Sequence, residues 1–541
     1  MSDAKDLLDS DMLTIRDHRT GDLFDPWAHL GPHRRRLLDK SWAGVFRDHL
    51  LQHVPVKELA SRFRDSFGRP SKDLHVVLGA LILQQLHDLT DAAAVEAIAF
   101  NIAWHYALDI QMESDSYICE RTLRNYRRLV MEDGLDEVLF QTLTDQLIRK
   151  LKIDTGRQRI DSTAVRSAMR TLTRLGIVVE TISKFLRELS RKQPDVYSTV
   201  ARDVVRLYVE RRGEDCFEFA KPSESKRRLP EALTVLYGLV QQFASTSAAD
   251  LPSYTLLAQV LEEQCDLSED PAAEEKVSVK DPSKIPCDSV QNPGDPDSSY
   301  NAHRGQGYSV QVMETYTDDD QGQDDQPDII THIAVNKMTV HDSNALQPAI
   351  TDVEARDMKP SVVLGDSHYG SIDKLAGASE QKIELLSPAM PPKGRKQNRL
   401  TLEQFDLDER GAVCCCPAGE TPISCSVNRT RFEVQFNQEQ CSVCELREQC
   451  PVCSTAWKSE KLRWQYTHER VRQRARRLAQ QTEAFKKRYR WRAGIEATMC
   501  RLKHQMRLAS LRVRGRAAVT YATFLRALGL NIRRVAACRA H

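Results

Sequence analysis

The chain has 541 residues, of which 28% are charged and 41% apolar, a composition typical of several folded domains and not of a disordered protein. The net charge of +1 hides an asymmetry, because residues 457–541 carry 23 Lys and Arg against four Asp and Glu. Such a basic segment favours a polyanion such as nucleic acid, although a solvated basic face explains the charge alone equally well. The longest apolar run, "VVLGALIL", is too short to span a membrane.

The N-terminus "MSDAKDLLDSDML" is acidic and does not resemble a signal peptide. We therefore predict a cytoplasmic protein with no membrane partner. In a reducing compartment, the 14 cysteines are more often metal ligands or buried thiols than disulfides.

The first third of the chain is predicted to be helical. Residues 1–45 are interpreted as a polar lead-in and residues 46–150 as a helical domain, because "KDLHVVLGALILQQLHDL" and "DLTDAAAVEAIAFNIAWHYAL" keep helical apolar spacing. The basic segment "ERTLRNYRRLVMEDG" adds a short helix. These helices fit either a DNA-binding domain of helix-turn-helix type or a plain helical bundle.

An α/β core is predicted from two separated segments, residues 155–165 and 300–395. The strand-like runs are "RQRIDSTAV", "GYSVQVMETY", "DIITHIAVNKM", "SVVLGDSHYGS" and "IELLSPA", with helical segments between the later ones. The acidic turn 317–328 is predicted to be a solvated hairpin loop. Residues 166–299 are predicted to be a helical insertion that ends in an exposed acidic linker over 266–299. Asp161 lies inside the first strand and Asp366 at the end of the fourth, and strand ends are where sites form in open α/β sheets.

A cysteine-rich insertion is predicted over residues 396–460, where "CCCP", Cys425 and "CSVCELREQCPVC" hold eight cysteines. Two C-x2-C pairs this close together indicate a structural Zn²⁺ site with a closed shell of four thiolates, and buried thiols are the alternative. Such a metal would hold a core-poor subdomain together. The predicted ligands are Cys416, Cys441, Cys444 and Cys450, with Cys414 and Cys453 as substitutes.

The basic C-terminal part, residues 461–541, is predicted to be helical and to complete the core. In "YRWRAGIEATMCRLK", a regular helix would place Tyr489, Arg492, Glu496 and Lys503 within an arc of about 60°. Ordinary ion pairs on an exposed face explain this stripe alone. Together with Asp161 and Asp366, however, Glu496 would give three carboxylates, which suit one or two Mg²⁺ ions beside a phosphodiester.

The spacing Y-x2-R-x3-E-x6-K resembles the signature of the DDE-type transposases of bacterial insertion sequences, in the group that carries this YREK box. "IDST" with Asp161 and "LGDSHYGS" with Asp366 resemble the family's first and second catalytic aspartates. The segments "LRVRG", "ALGLNIRR", "GRPSKDLHVVLGALILQQLHDLTD" and "CCCPAG…CSVCELREQC" are similar to further parts of such enzymes. The resemblance spans about residues 45–535.

The resemblance implies an RNase H-like core in which Asp161, Asp366 and Glu496 bind Mg²⁺ or Mn²⁺. It implies binding of the element's terminal inverted repeats, hydrolytic nicking, and attack of the freed 3′-hydroxyl on target DNA. DNA contacts are expected from Tyr489, Arg492, Lys503, Arg512 and Arg514, and end recognition from the N-terminal helices. The resemblance also implies a homodimer in the DNA complex and a bacterial, nucleoid-associated location.

Two other functions stay open from the sequence. A DNA-binding repressor derived from a transposase would keep the basic segment and the cysteines but has no need of all three carboxylates. A metal-dependent nuclease without strand transfer would use the same triad. A zinc hydrolase is disfavoured, since the sequence has no His-Glu-x2-His motif.

Overall fold

The structure is a computed structural model that describes residues 13–18, 25–63, 71–211, 222–268, 276–318, 326–392, 399–454 and 461–540. Most of the predicted acidic hairpin loop, residues 319–325, lies outside these ranges, and so does the side chain of Cys453. Within them, buried apolar side chains form a large core, a second core in the insertion and a small third core. No helix in these ranges is long and apolar enough to cross a membrane.

The N-terminal part is helical, as predicted. Side-chain caps start four of its helices, since Ser41, Asp73, Thr90 and Asn101 accept backbone N–H bonds there. The predicted polar lead-in over residues 1–45 differs from the structure, because the first helix begins at Pro32 and Val45 is fully buried. The helices are α1 (Pro32–Lys40), α2 (Trp42–Val45), α3 (Val56–Ala60), α4 (Leu74–Leu86), α5 (Asp91–Phe100), α6 (Ile102–Leu108), α7 (Glu120–Glu132) and α8 (Leu135–Leu151).

Strand β1 (Arg157–Val165) leads into the predicted helical insertion, which has a core of its own around the fully buried Phe185, Leu233 and Leu257. Its elements are α9 (Arg174–Lys192), α10 (Pro194–Tyr197), α11 (Arg202–Val205), α12 (Pro222–Phe243), α13 (Pro252–Gln264), β2 (Cys265–Leu267) and β3 (Val277–Val279).

The predicted exposed linker over 266–299 differs from the structure. Strands β2 and β3 form an antiparallel hairpin inside it, and both Val290 and Asp295 are fully buried. Asp295 is tolerated there because its carboxylate accepts hydrogen bonds from the Ser167 and Tyr308 hydroxyls. The acidic, proline-rich composition of residues 266–299 indicated exposure, because composition alone does not show that distant hydroxyl groups stabilise a buried carboxylate.

The predicted α/β core is a mixed sheet. Strand β1 is antiparallel to β5 and parallel to β7, β7 is parallel to β8, and both β4 and β6 pair with β5. The sheet therefore runs from β6 through β5, β1 and β7 to β8. Its further elements are β4 (Ser299–Asn301), β5 (Gly305–Thr315), β6 (Ile330–Lys337), α14 (Leu346–Ala355), β7 (Val362–Leu364), α15 (Ile372–Glu380) and β8 (Glu384–Leu386).

The cysteine-rich segment forms a small β-rich unit with an aromatic core that includes Phe405, Phe432 and Tyr466. The prediction that this segment has little apolar core is therefore wrong. The unit also extends past residue 460, because β13 pairs with β12. Its elements are β9 (Asp406–Leu407), β10 (Val413–Cys415), β11 (Ser424–Val427), β12 (Arg431–Asn437), α16 (Gln438–Ser442) and β13 (Lys461–Thr467).

The C-terminal helices join the N-terminal helices to the sheet. Helix α20 packs against α4, α8 and β6, and the buried Asn531 side chain bonds to both the N–H and the C=O of Ile330. The N-terminal helices and the sheet consequently share one core. These helices are α17 (His468–Ala479), α18 (Glu483–Tyr489), α19 (Gly494–Cys500) and α20 (Arg516–Ala540).

Candidate active site

Asp161 and Asp366 lie on neighbouring parallel strands. The pairing of β1 with β7 sets Arg157 opposite Val362 and Arg159 opposite Leu364. Two residues further in this register, Asp161 stands beside Asp366, and adjacent strands are about 4.8 Å apart. Two carboxylates that are 205 positions apart in the chain therefore meet at one point of the sheet.

Glu496 reaches the same point from helix α19. Arg492 bridges it to the sheet, since Nη1 donates to Glu496 Oε1 and Nη2 donates to Asp161 Oδ2, each at 2.6 Å. The Asp161 side chain is 15% exposed and that of Glu496 66% exposed. The structure therefore brings the three predicted carboxylates to one region, with one of them open to solvent.

A regular helix over the YREK box, with about 100° between successive residues, was expected from the sequence. The structure differs from this expectation. A 3₁₀ turn at Arg490–Ala493 separates α18 from α19, and a π-helical turn follows at Arg501–Gln505. Such irregular turns re-aim side chains within a continuous helical path. Arg492 lies in the first turn and Lys503 in the second.

Burial and neighbouring charges shape the electrostatics of the site. Burial raises the pKa of the Asp161 carboxyl, the Arg492 guanidinium opposes this rise, and the Asp366 charge adds to it. Burial also raises the pKa of Tyr489 to about 12, with smaller contributions from the three carboxylates. The tyrosine hydroxyl therefore stays protonated, and it donates to the carbonyl of Gly365, the residue before Asp366.

A buried ion network fixes the helix that carries Glu496. Glu314 is fully buried on β5 and accepts from Arg159 Nε at 2.8 Å, Arg534 Nη1 at 2.9 Å and Thr498 Oγ1 at 2.7 Å. Arg159 also donates to the Trp491 carbonyl. A Cβ at position 494 would stand 2.1 Å from Arg159 Nη1, so any larger residue there would push the Arg159 guanidinium away from its present partners.

The loop that follows Asp366 is held by side chains from two other elements. Ser387 donates to the Asp366 carbonyl. Arg476 of α17 donates to the carbonyls of Gly370 and Ser387 at 2.7 and 2.9 Å. The second carboxylate is therefore tied both to the sheet and to the basic C-terminal part.

A fourth carboxylate, Asp342, was not predicted from the sequence. It is buried beside the triad and accepts hydrogen bonds from Arg304 and Gln311, which outweigh burial and lower its pKa. Gln311 in turn accepts from the buried Tyr369 hydroxyl, in the loop after Asp366. Because these partners are scattered along the chain and have no common motif, the sequence contained no signal for them.

The predicted DNA-binding arginines have different surroundings. Arg512 donates to Asp88, a residue between α4 and α5, at 2.6 Å, so it ties the C-terminal part to the N-terminal helices. Arg514 lies instead in a cavity of about 480 Å³ between the insertion and the core, together with Lys184 and Arg187. In the described part of the chain, Lys503 is half-buried and forms no ion pair.

The predicted zinc ligands lie in the same small unit, but their sulfur atoms are too far apart to bind one ion as they stand. Cys416 lies in a turn after β10, and the other three lie on or after α16. Cys416, Cys441 and Cys450 pack against the aromatic core. Of the residues described, no three cysteines place their sulfurs within 4.8 Å of one another.

The donor chemistry of the carboxylate site fits a hard divalent cation. Asp161, Asp366 and Glu496 offer only oxygen ligands, which Mg²⁺ and Mn²⁺ prefer. Their oxygens do not all lie within 4.8 Å of one another, a limit that only the group His18, Asp73 and His75 meets in the described ranges. Arg492 holds the first and third carboxylates in this arrangement, so their full convergence requires its ion pairs to open.

Two comparisons with family models gave a match, and both describe transposases. A transposase domain (DUF772) matches residues 35–129, and a transposase DDE domain matches residues 415–536. The predicted recognition, a DDE-type transposase of an insertion sequence, is thereby confirmed. The second match contains Glu496, whereas Asp161 and Asp366 lie outside both. Neither a search of curated proteins nor one of solved structures gave a match.

Proposed function

We propose that the chain cleaves DNA at the ends of its insertion sequence and joins the freed 3′-hydroxyls to target DNA, with Asp161, Asp366 and Glu496 as the catalytic residues. The observation that carries the proposal is the meeting of these three carboxylates from β1, the end of β7 and α19. The sheet supports an RNase H-like core, with antiparallel strands on one side of β1 and parallel strands on the other.

The three carboxylates would hold Mg²⁺ or Mn²⁺. A cation bound there supplies Lewis-acid activation of the attacking oxygen and of the phosphodiester. The chain's own contribution is placement: the sheet fixes Asp161 and Asp366, and the Glu314 network fixes α19. Arg492 neutralises two carboxylates in this structure, so a phosphate contact by Arg492 would require both ion pairs to open.

The DNA backbone would be held by basic residues around this site. Lys503 follows Glu496 by seven positions, and Arg514 lies in the basic cavity beside the insertion. Tyr489 bonds to the Gly365 carbonyl, so we assign it a positioning role beside its predicted contact with the terminal nucleotides. Two copies of the chain would be needed to pair two ends.

End recognition is proposed for helix α7. Its exposed side carries Arg121, Arg124, Asn125 and Arg128, and the opposite side buries Leu123, Tyr126 and Val130. Arginine and asparagine are the side chains that read guanine and adenine edges in the major groove. The transposase domain matched at 35–129 includes this helix up to Leu129.

A structural Zn²⁺ on Cys416, Cys441, Cys444 and Cys450 remains a proposal from their spacing. The half-buried placement of these side chains on one small unit supports it. Their sulfurs would have to move closer together for one ion to hold all four.

The test of the catalytic proposal is a cleavage and joining assay on linear DNA that carries the element's end, with Mg²⁺ present. Asp161→Asn, Asp366→Asn and Glu496→Gln should each abolish cleavage while leaving end binding intact. Glu483→Gln is the matched control, since Glu483 is an exposed carboxylate of the same basic region. Cleavage by all three variants would refute the assignment of the catalytic residues.

The same assay separates the other functions. Binding of the end without cleavage by the unaltered protein supports a repressor. Cleavage without joined product supports a nuclease. Both outcomes contradict the proposed strand transfer.

A further inference from the structure

A cluster of metal-ligating side chains lies far along the chain from the carboxylate triad, where the N-terminal segment 13–18 meets the start of α4. His18 comes from the segment, Asp73 caps α4, and His75 lies in its first turn. His18 Nε2 is 2.9 Å from Asp73 Oδ2, and His75 Nδ1 is 3.5 Å from Asp73 Oδ1. One ligand atom from each residue lies within 4.8 Å of the others.

All three side chains are removed from solvent, with exposures of 5% for His18, 4% for Asp73 and 8% for His75. Backbone hydrogen bonds fix the geometry, because Leu74 N donates to the Thr14 carbonyl and Thr14 N donates to Ser71. The two histidine rings stand edge to face, with centroids 5.0 Å apart. The cluster is therefore a buried, ordered group.

The His75 ring has an unsatisfied polar atom in this cluster. Its buried Nδ1 has no hydrogen-bond partner, although buried polar atoms almost always have one. Asp73 Oδ1, 3.5 Å from this nitrogen, already accepts from the backbone N–H groups of His75 and Arg16. A ligand that accepts a lone pair from Nδ1 would satisfy this atom.

His18 is backed by a second carboxylate. Asp109 Oδ2 is 3.6 Å from His18 Nδ1, on the ring nitrogen that does not face Asp73. Asp109 is itself fixed by Arg47 at 2.6 Å and by the Trp27 indole at 3.2 Å. Histidines that bind metals usually donate their other N–H to a carboxylate in this way, which orients the ring.

We propose that His18, Asp73 and His75 bind one divalent transition-metal ion, with Asp109 orienting His18. Two imidazole nitrogens and one carboxylate oxygen suit Zn²⁺, Co²⁺ or Ni²⁺, whereas Mg²⁺ prefers oxygen ligands alone. The site would pin segment 13–18 to α4 across 55 positions of the chain. It is independent of the carboxylate triad and of the cysteines.

The competing arrangement is a metal-free ion cluster. Burial lowers the pKa of His18, but the hydrogen bonds that its ring donates to Asp109 and Asp73 more than reverse this and raise the pKa to about 9. In that state a protonated His18 would lie between the two carboxylates, and the cluster would bind no metal.

The test is a titration of the full chain with Co²⁺ after removal of metals by a chelator, followed by its visible absorption. The titration is done in a background with Glu496→Gln and with Ser at all four predicted zinc ligands, Cys416, Cys441, Cys444 and Cys450, so that neither the carboxylate triad nor the predicted zinc site contributes. We expect one equivalent of Co²⁺ with bands typical of nitrogen and oxygen ligands. Absence of such binding in this folded protein would overturn the proposal.

Three variants assign the ligands. Asp73→Asn keeps a good helix cap and His75→Gln keeps a polar side chain, and each should abolish the Co²⁺ bands. Asp109→Asn should weaken binding by about 10–100-fold without abolishing it. Circular dichroism checks that each variant is folded. Unchanged binding in both Asp73→Asn and His75→Gln would place the metal elsewhere and refute the site.

Discussion

Replacing Glu314 by Gln tests whether the buried ion network positions α19, the helix that carries Glu496. The substitution keeps the size of the side chain but removes its charge and turns an amide N–H₂ towards the donors of Arg159, Arg534 and Thr498. Breaking a buried ion pair by removing one partner costs about 3–5 kcal/mol. Asp328 still accepts from Arg159 at 2.6 Å, so we expect a cost of about 3 kcal/mol, at the lower end of that range.

The assay is hydrogen exchange measured by mass spectrometry, because a protein with several cores has no single unfolding free energy. A loss of about 3 kcal/mol predicts that amides of α19 exchange about 100-fold faster. Amides of α9, in the separate core of the insertion, should not change and serve as the internal control. End cleavage should fall as well, since Glu496 lies on the loosened helix.

Glu384→Gln is the matched control variant. Glu384 pairs with Arg488 on the surface, where both side chains are about half exposed, and such pairs contribute about 0–1 kcal/mol. If Glu314→Gln accelerates exchange in α19 no more than Glu384→Gln does, the proposed positioning role is refuted.

The same network predicts a pH dependence. Burial raises the pKa of Glu314, but Arg534 and Arg159 more than reverse this and hold it below its usual value. A carboxyl with a lowered folded-state pKa stabilises the fold above its unfolded pKa and loses this contribution as the pH falls. Exchange in α19 should therefore accelerate on acidification in the unaltered protein and much less in Glu314→Gln.

Further predictions concern DNA binding and stability. Arg124→Ala with Arg128→Ala on α7 should weaken binding of the element's end and reduce its preference over unrelated DNA, as expected for arginines that read base edges. The exposed Arg202 and Arg227 of the insertion, changed to Ala, should leave both unchanged, and equal effects would contradict end recognition by α7. Arg514→Gln should weaken DNA binding without lowering the melting temperature, measured by filter binding and calorimetry; unchanged affinity would remove the basic cavity from the DNA path. Burial and Arg533 lower the pKa of His87 to about 4, so the region around α4 should lose up to about 3 kcal/mol of stability between pH 6.5 and 4. His87→Leu should flatten this loss, measured as hydrogen exchange of the α4 amides against pH; an unchanged slope would contradict a neutral His87 in the folded protein.

The candidate site residues could be predicted from the sequence because they lie in short motifs with characteristic spacing. The YREK spacing and the two aspartate motifs led to Asp161, Asp366 and Glu496, and the structure brings these residues together. The alternating and continuous apolar runs led to the strands of the mixed sheet. Local patterns were sufficient there because strand formation and helix capping depend on neighbouring residues.

The remaining features depend on contacts between distant segments. Glu314 is an ordinary strand residue in the sequence, and its role arises from arginines 155 and 220 positions away. The shared core of the N-terminal helices and the sheet depends on α20, at the other end of the chain. The irregular turns of the YREK helix and the cluster around His18 likewise arise from tertiary packing, which a local pattern does not encode.

The most direct test of the central claim is an excision assay in cells. A marker flanked by the DNA that borders the gene is supplied with the unaltered chain, with Glu496→Ala or with the control Glu483→Gln. We expect excision with the unaltered chain and with Glu483→Gln, and none with Glu496→Ala. Excision that persists in Glu496→Ala, or is absent with the unaltered chain although it binds those ends, would contradict that claim.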